Sequence, residues 1–234
     1  LIKDSDSTTI IKKTEIAYED ISSNFSWDKT ANINIKFVNK LLKYNNITHV
    51  KLGVITTFNV KCGVANYTSN LLQNLEHQKF IFAPYSDSLV SEDPPNTYRC
   101  WDINKPFTDE IQNNIIKCKI TTIIIEFNYG FFDFSSFNEL IKFLYKNKIL
   151  IIIQMHSTTD PTELKDKFLN TIVQSLHLAD RILVHTCSDL NRLKKLNLIN
   201  NVSIFPHGVL DFNPVKKYSL NFFSSNNIFN FKQK

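Results

Sequence analysis

Three short stretches carry the groups that could do chemistry: Asn59–Tyr67 ("NVKCGVANY"), Glu126–Gly130 ("EFNYG") and His156–Asp160 ("HSTTD"). Gly63 lies between an apolar run and an amphipathic one. A glycine before a helix exposes the free N–H groups of the first turn, and the helix dipole adds to their pull on an anion. That describes a phosphate site, and equally a glycine needed only for the turn. It is not a dinucleotide fingerprint, which needs three glycines, nor a Walker A loop, since no Gly-Lys-Ser/Thr follows. His156 could donate to a sugar hydroxyl or phosphate oxygen, or transfer a proton. Its ring could equally be satisfied by loop carbonyls. Glu126, Asn128 and Tyr129 could line a binding cleft, or form a tight turn at Gly130. His185 and His207 carry weaker versions of the same signal. No two histidines have the spacing of a zinc-binding helix, which argues against metal ligation.

The elements that must position these groups follow a regular rhythm from residue 50. Strands are expected at 51–57, 79–84, 96–103, 120–127, 148–155, 181–185 and 201–207. Helices are expected at 64–76, 106–119, 134–147, 161–179 and 187–197. Ser136 and Glu139 are spaced as a capping box for the third of these helices. Asp160, Pro161 and Glu163 read as the start of the fourth. Strands alternating with helices imply a parallel sheet, and the uniformly apolar "TTIIIEF" and "ILIIIQM" read as strands covered on both faces. The class is α/β: a Rossmann-like, three-layer, doubly wound domain. Ligands of such sheets sit at the carboxyl ends of the strands, where all three stretches fall. Residues 8–45 hold two helical stretches instead, 8–22 and 28–45, and 213–234 reads as a linker followed by the start of another element.

Composition narrows the function further. The net charge is +5 with 43% hydrophobic and 21% charged residues, ordinary for a soluble globular protein. The lysines are scattered, with no run to track a phosphate backbone, so nucleic acid is not an expected partner. An anionic membrane surface, a nucleotide-bearing ligand or plain solubility would each suit the charge. The four cysteines (Cys62, Cys100, Cys118 and Cys187) form no C-x-x-C pair and read as reduced thiols of a cytoplasmic protein. "ILIIIQM" is far too short to span a bilayer. The chain holds only four glycines, so each is expected where backbone geometry demands it. Gly53, inside the first strand, is expected to admit a neighbouring backbone.

Five segments in order, "KLGVITTFNVKCGVANYTSNLLQNL", "IIIEFNYGFF", "LIIIQMHSTTD", "ADRILVHTCSDLNRLKKL" and "NVSIFPHGVLD", resemble the N-terminal domain of retaining glycosyltransferases of family four, which have the GT-B fold. The resemblance covers residues 50–212. It implies two Rossmann-like domains across a cleft and transfer of a hexose from a nucleotide sugar to a polysaccharide or lipid-linked glycan. The nucleotide sugar is then a substrate, with no further cofactor and no metal. By position, Cys62, Gly63, Val64, His207 and Gly208 would meet the donor, and His156 the donor sugar as the catalytic histidine. Asn66, Tyr67, Glu126, Asn128, Tyr129 and Gly130 would face the acceptor. Phe127 and Asn128 depart from the family's His-Glu, which puts acceptor chemistry in that loop in question. The family's Glu-x7-Glu pair has no counterpart here. Residues 1–49 resemble the closing helices of a preceding transferase module, and 213–234 the entry to a truncated donor domain. The competing reading is an inactive acceptor- or partner-binding domain. A nicotinamide oxidoreductase would share the sheet but lacks the fingerprint. The expected location is the cytoplasm, with peripheral contact at the inner face of the membrane.

Overall fold

The runs "TTIIIEF" and "ILIIIQM" become neighbouring strands at the centre of a seven-stranded sheet in which every pairing is parallel. The computed structural model describes residues 7–24, 32 and 50–208, apart from 74, 76, 108 and 165. The strands are β1 (Leu52–Ile55), β2 (Lys79–Pro84), β3 (Thr97–Trp101), β4 (Thr122–Phe127), β5 (Leu150–Met155), β6 (Arg181–Val184) and β7 (Val202–Ile204). The helices are α1 (Ser7–Asn24), α2 (Gly63–Gln73), α3 (Asp109–Lys117), α4 (Phe134–Lys146), α5 (Val173–Leu176) and α6 (Cys187–Lys195).

The sheet order is β3-β2-β1-β4-β5-β6-β7. The chain therefore winds outward one way from β1, crosses back, and winds the other way from β4. The reversal between β1 and β4 opens a crevice at their carboxyl ends. Alternate residues of a strand face opposite sides, and the two sides have separate cores. Ile55, Ile123, Ile125, Phe127, Ile151 and Ile153 pack with side chains of α3, α4, α5 and α6. Val54, Ile124, Ile152 and Leu183 pack on the other side with Leu72 of α2. The result is the three-layer α/β arrangement expected from the alternation of strands and helices.

Several local expectations are corrected. α4 is capped by Asp133, whose carboxylate accepts from Ser136 N at 2.8 Å. Glu139 pairs with Lys142 at 2.9 Å and closes no capping box. α3 begins at Asp109, three residues after Pro106, with Asp109 and Glu110 in its first turn and Lys117 in its last, as the helix dipole favours. The long helix expected at 161–179 is only a 3₁₀ turn (Leu169–Thr171) and the four-residue α5. Tertiary bonds take the groups that would have capped it. Asp160 accepts from the Tyr129 hydroxyl and from Leu169 N, both at 2.9 Å. The buried Lys167 ammonium donates to Tyr129 O at 2.7 Å, Phe132 O at 2.6 Å and the Asn104 side chain. The helix expected at 8–22 is α1, an exposed helix. The stretches 28–45 and 213–234 lie outside the described residues, Asn32 excepted.

The glycine expectation fails in an informative way. No described glycine has a positive φ, whereas Asn59, Asn96, Asn104, Lys119, Lys148 and Asn197 do. Three of these end helices. Ile120 N, Ile149 N and Leu198 N reach back five residues to Ile115 O, Leu144 O and Leu193 O. Lys119, Lys148 and Asn197 therefore occupy the left-handed position of Schellman caps, where glycine is usual. A Cβ there costs roughly 1–2 kcal/mol. Lys119→Gly and Lys148→Gly are each expected to stabilise the protein by about 0.5–1 kcal/mol after the unfolded-chain entropy of glycine is counted. A higher urea midpoint at unchanged slope would show it; a lower midpoint would mean that the lysine side chains hold these caps.

Candidate functional site

The loop after β1 is fixed from the neighbouring strands. Arg99 of β3 donates to Asp93 at 2.8 and 2.9 Å, to Pro84 O at 2.6 Å and to Phe58 O at 3.1 Å. Asn59, at φ 53°, donates to the same carboxylate at 3.0 Å. Partial burial alone would raise the Asp93 pKa, but the bonds from Arg99 and Asn59 outweigh it and hold the carboxyl below its ordinary value. Beyond this clamp the chain enters α2. Asn66 N already bonds back to Cys62 O at 3.1 Å, and the Thr57 hydroxyl reaches Cys62 Sγ at 3.4 Å. Thr56 at the end of β1 bonds Thr68 at 2.9 Å and seats the helix on the sheet. A Cβ built on Gly63 meets nothing within 4 Å. Neither φ nor crowding demands glycine here, and the first turn of α2 opens onto free space. Val64 and Cys62 are half-buried beside it, and Asn66 is exposed.

The carboxyl ends of β4 and β5 supply a polar pair on the α2 side. Glu126 and Gln154 are direct partners in the parallel register, so both point the same way from two otherwise apolar strands. Glu126 is fully buried, and its Oε2 lies 2.7 Å from His156 Nε2. A carboxylate can only accept, so it fixes which imidazole nitrogen carries the hydrogen. Glu126 Oε1 is buried without a protein partner. Gln154 donates to the hydroxyl of Tyr67, one turn beyond Gly63 on α2. Burial first, and then Glu126, pushes the Tyr67 pKa well above its ordinary value, so it is a neutral phenol.

Around Tyr67 stand three histidines from three strand ends. Its ring meets His156, His185 and His207 edge-on, at centroid distances of 4.9, 5.7 and 5.2 Å. The His185 and His207 rings stack at 3.6 Å. His185 Nδ1 donates to Phe205 O at 2.8 Å, while its Nε2 is buried with no partner. Burial, with His207 beside it, pushes the His185 pKa down to about 4. His207 is likewise lowered, by burial and then by His156. Both rings are neutral at pH 7, able to accept at one nitrogen and donate at the other.

The other two loops of this edge are tied together. Asp189 of α6 accepts from Thr158 and Thr186, both at 2.5 Å, and from Arg192 at 3.1 Å. Residues expected to face an acceptor divide. Glu126 and Tyr67 join the histidines. Asn128 closes a local turn by accepting from Gly130 N at 3.0 Å. Tyr129 is buried in the α4-side core, with its hydroxyl committed to Asp160. Gly208 is half-buried directly after His207. Gln154 was not singled out by sequence reasoning. Its signal was there: a polar residue interrupting "ILIIIQM" where Glu126 interrupts "TTIIIEF". A zinc-binding helix needs its histidines at fixed spacing on one element, whereas His156, His185 and His207 come from separate strand ends.

Fold and site together define a Rossmann-like α/β protein with a histidine cluster at the carboxyl edge of its sheet. Comparison with protein-family models, curated proteins and solved structures finds no match to this chain.

Proposed function

We propose that this chain is the acceptor-side domain of a retaining glycosyltransferase that takes a hexose from a nucleotide sugar. The observation that carries the reading is the buried Glu126–His156 pair at the carboxyl edge of the sheet, on the same side as α2 and its unobstructed first turn. An imidazole oriented by a carboxylate presents its other nitrogen to a sugar hydroxyl. Helix N–H groups suit a diphosphate without requiring a metal. The acceptor would be a polysaccharide or lipid-linked glycan. Among the described residues no helix is long and apolar enough to cross a membrane, so a lipid-linked acceptor would be met by peripheral contact.

Calorimetric titration with a panel of nucleoside-diphosphate hexoses tests this. Gly63→Ala is expected to leave the melting temperature unchanged or slightly raised, because the added Cβ touches nothing and alanine restricts the unfolded chain. It is expected to weaken nucleotide-sugar binding about 10-fold, by filling the space a diphosphate needs. Binding that ignores Gly63→Ala would remove the diphosphate from this turn. A chain that binds glycans but no nucleotide sugar would be the acceptor-binding domain of the competing reading.

A further inference from the structure

We infer that His156, His185 and His207 form a binding site for a transition-metal ion of the zinc type. One ring nitrogen from each lies within 4.8 Å of those of the other two. Three nitrogens on a tetrahedral zinc ion stand about 3.4 Å apart, so the widest gap need close by no more than about 1.4 Å. His207 is the exposed member and can turn out of its stack on His185 to do so.

Hydrogen-bond bookkeeping supports a metal over a packed histidine cluster. His185 gives one nitrogen to Phe205 O and leaves Nε2 buried and unpaired, a costly state that an ion would relieve. His156 gives Nε2 to Glu126 and keeps the other nitrogen free of that carboxylate. Backbone carbonyls and carboxylates on the far ring nitrogen are the usual supports of metal-bound histidine. Neutral imidazole selects zinc, cobalt, nickel or copper over magnesium or calcium. Three protein nitrogens leave a fourth position for water or a substrate oxygen. Glu126 acts here as a positioning residue. An ion here would take the His156 nitrogen that the transferase reading gives to a sugar hydroxyl, so the two are alternative occupants of that nitrogen, and metal binding is read without any sugar nucleotide.

The test is titration of the chelator-treated 234-residue protein with Co²⁺, followed by Zn²⁺ competition. The expected result is one equivalent bound, with intense tetrahedral cobalt bands that zinc abolishes. His207→Ala, an exposed change that spares the core, is expected to weaken binding about 100-fold or more, and Glu126→Gln about 10-fold. Cys187→Ser, which removes an exposed thiol, is expected to change nothing. Absence of the bands, binding indifferent to His207→Ala, or binding lost in Cys187→Ser would each overturn the site. Circular dichroism of each variant separates lost binding from lost fold.

Discussion

Gly53→Val is expected to destabilise the protein by about 3 kcal/mol. Gly53 sits in β1, paired with Phe80 and Ile123 in the strands on either side. A Cβ there would lie 2.9 Å from Phe82 Cε2, 3.1 Å from Ile120 Cγ2 and 3.4 Å from Ile123 Cδ1. All three belong to buried side chains of the core on the α4 side, so none can swing into solvent. Gly53 thus admits neighbouring side chains, whereas its position in the strand had suggested a close backbone. Alanine should cost about 1 kcal/mol, and valine, with two more carbons, the fuller penalty. Against a total stability of roughly 5–15 kcal/mol, the valine variant should unfold at a markedly lower urea concentration. Gly130→Ala is the control, since its Cβ would meet only Asn128 Oδ1 at 3.5 Å. An unchanged midpoint for Gly53→Val would show that β1 has room the packing denies.

His156→Ala is the second large effect, and it falls on turnover. Under the transferase proposal, the intact enzyme should lose about 10²- to 10⁴-fold in kcat, the range for a positioned proton-transfer group. Stability should fall as well, because the ring is largely buried and its loss leaves the buried Glu126 carboxylate without its partner, so kcat is compared at a temperature where circular dichroism shows both proteins folded. Glu126→Gln should act through His156. It keeps an acceptor at 2.7 Å but removes the charge, so kcat should fall less and its pH profile should shift. Full activity in His156→Ala would end the role proposed for it. Equal kcat loss in both variants with no change in pH profile would make Glu126 a packing residue.

The parts of this design that could be read in the sequence are those set by local pattern. β4 and β5 are apolar apart from Thr122, Glu126 and Gln154 because both faces are covered, and β2 matched its expected limits because β-branched and aromatic residues crowd it. The helix expected at 161–179 failed because Asp160 and Lys167 bond across the fold, to Tyr129, Phe132 and Asn104, and no window of neighbouring residues contains those partners. Scarcity of glycine does not mark the left-handed positions: Gly53 is required by crowding, and no described glycine has a positive φ. Asn and Lys fill the left-handed positions instead. At the site, His156 and Glu126 were visible as polar ends of apolar strands. The three-histidine cluster was not, because residues 156, 185 and 207 become neighbours only through the strand order.

Tyr67 makes one ring the common neighbour of the first turn of α2 and of three strand ends. An anion at Gly63 and an ion among the histidines would share that ring. If either shifts it, the two affinities change by the same factor, as linkage requires. The size of that factor is set by how far a phenol held by Gln154 and flanked by imidazoles can move. Two such occupants would sense each other through a single side chain, and replacing Tyr67 with alanine, which removes the shared ring, should uncouple them.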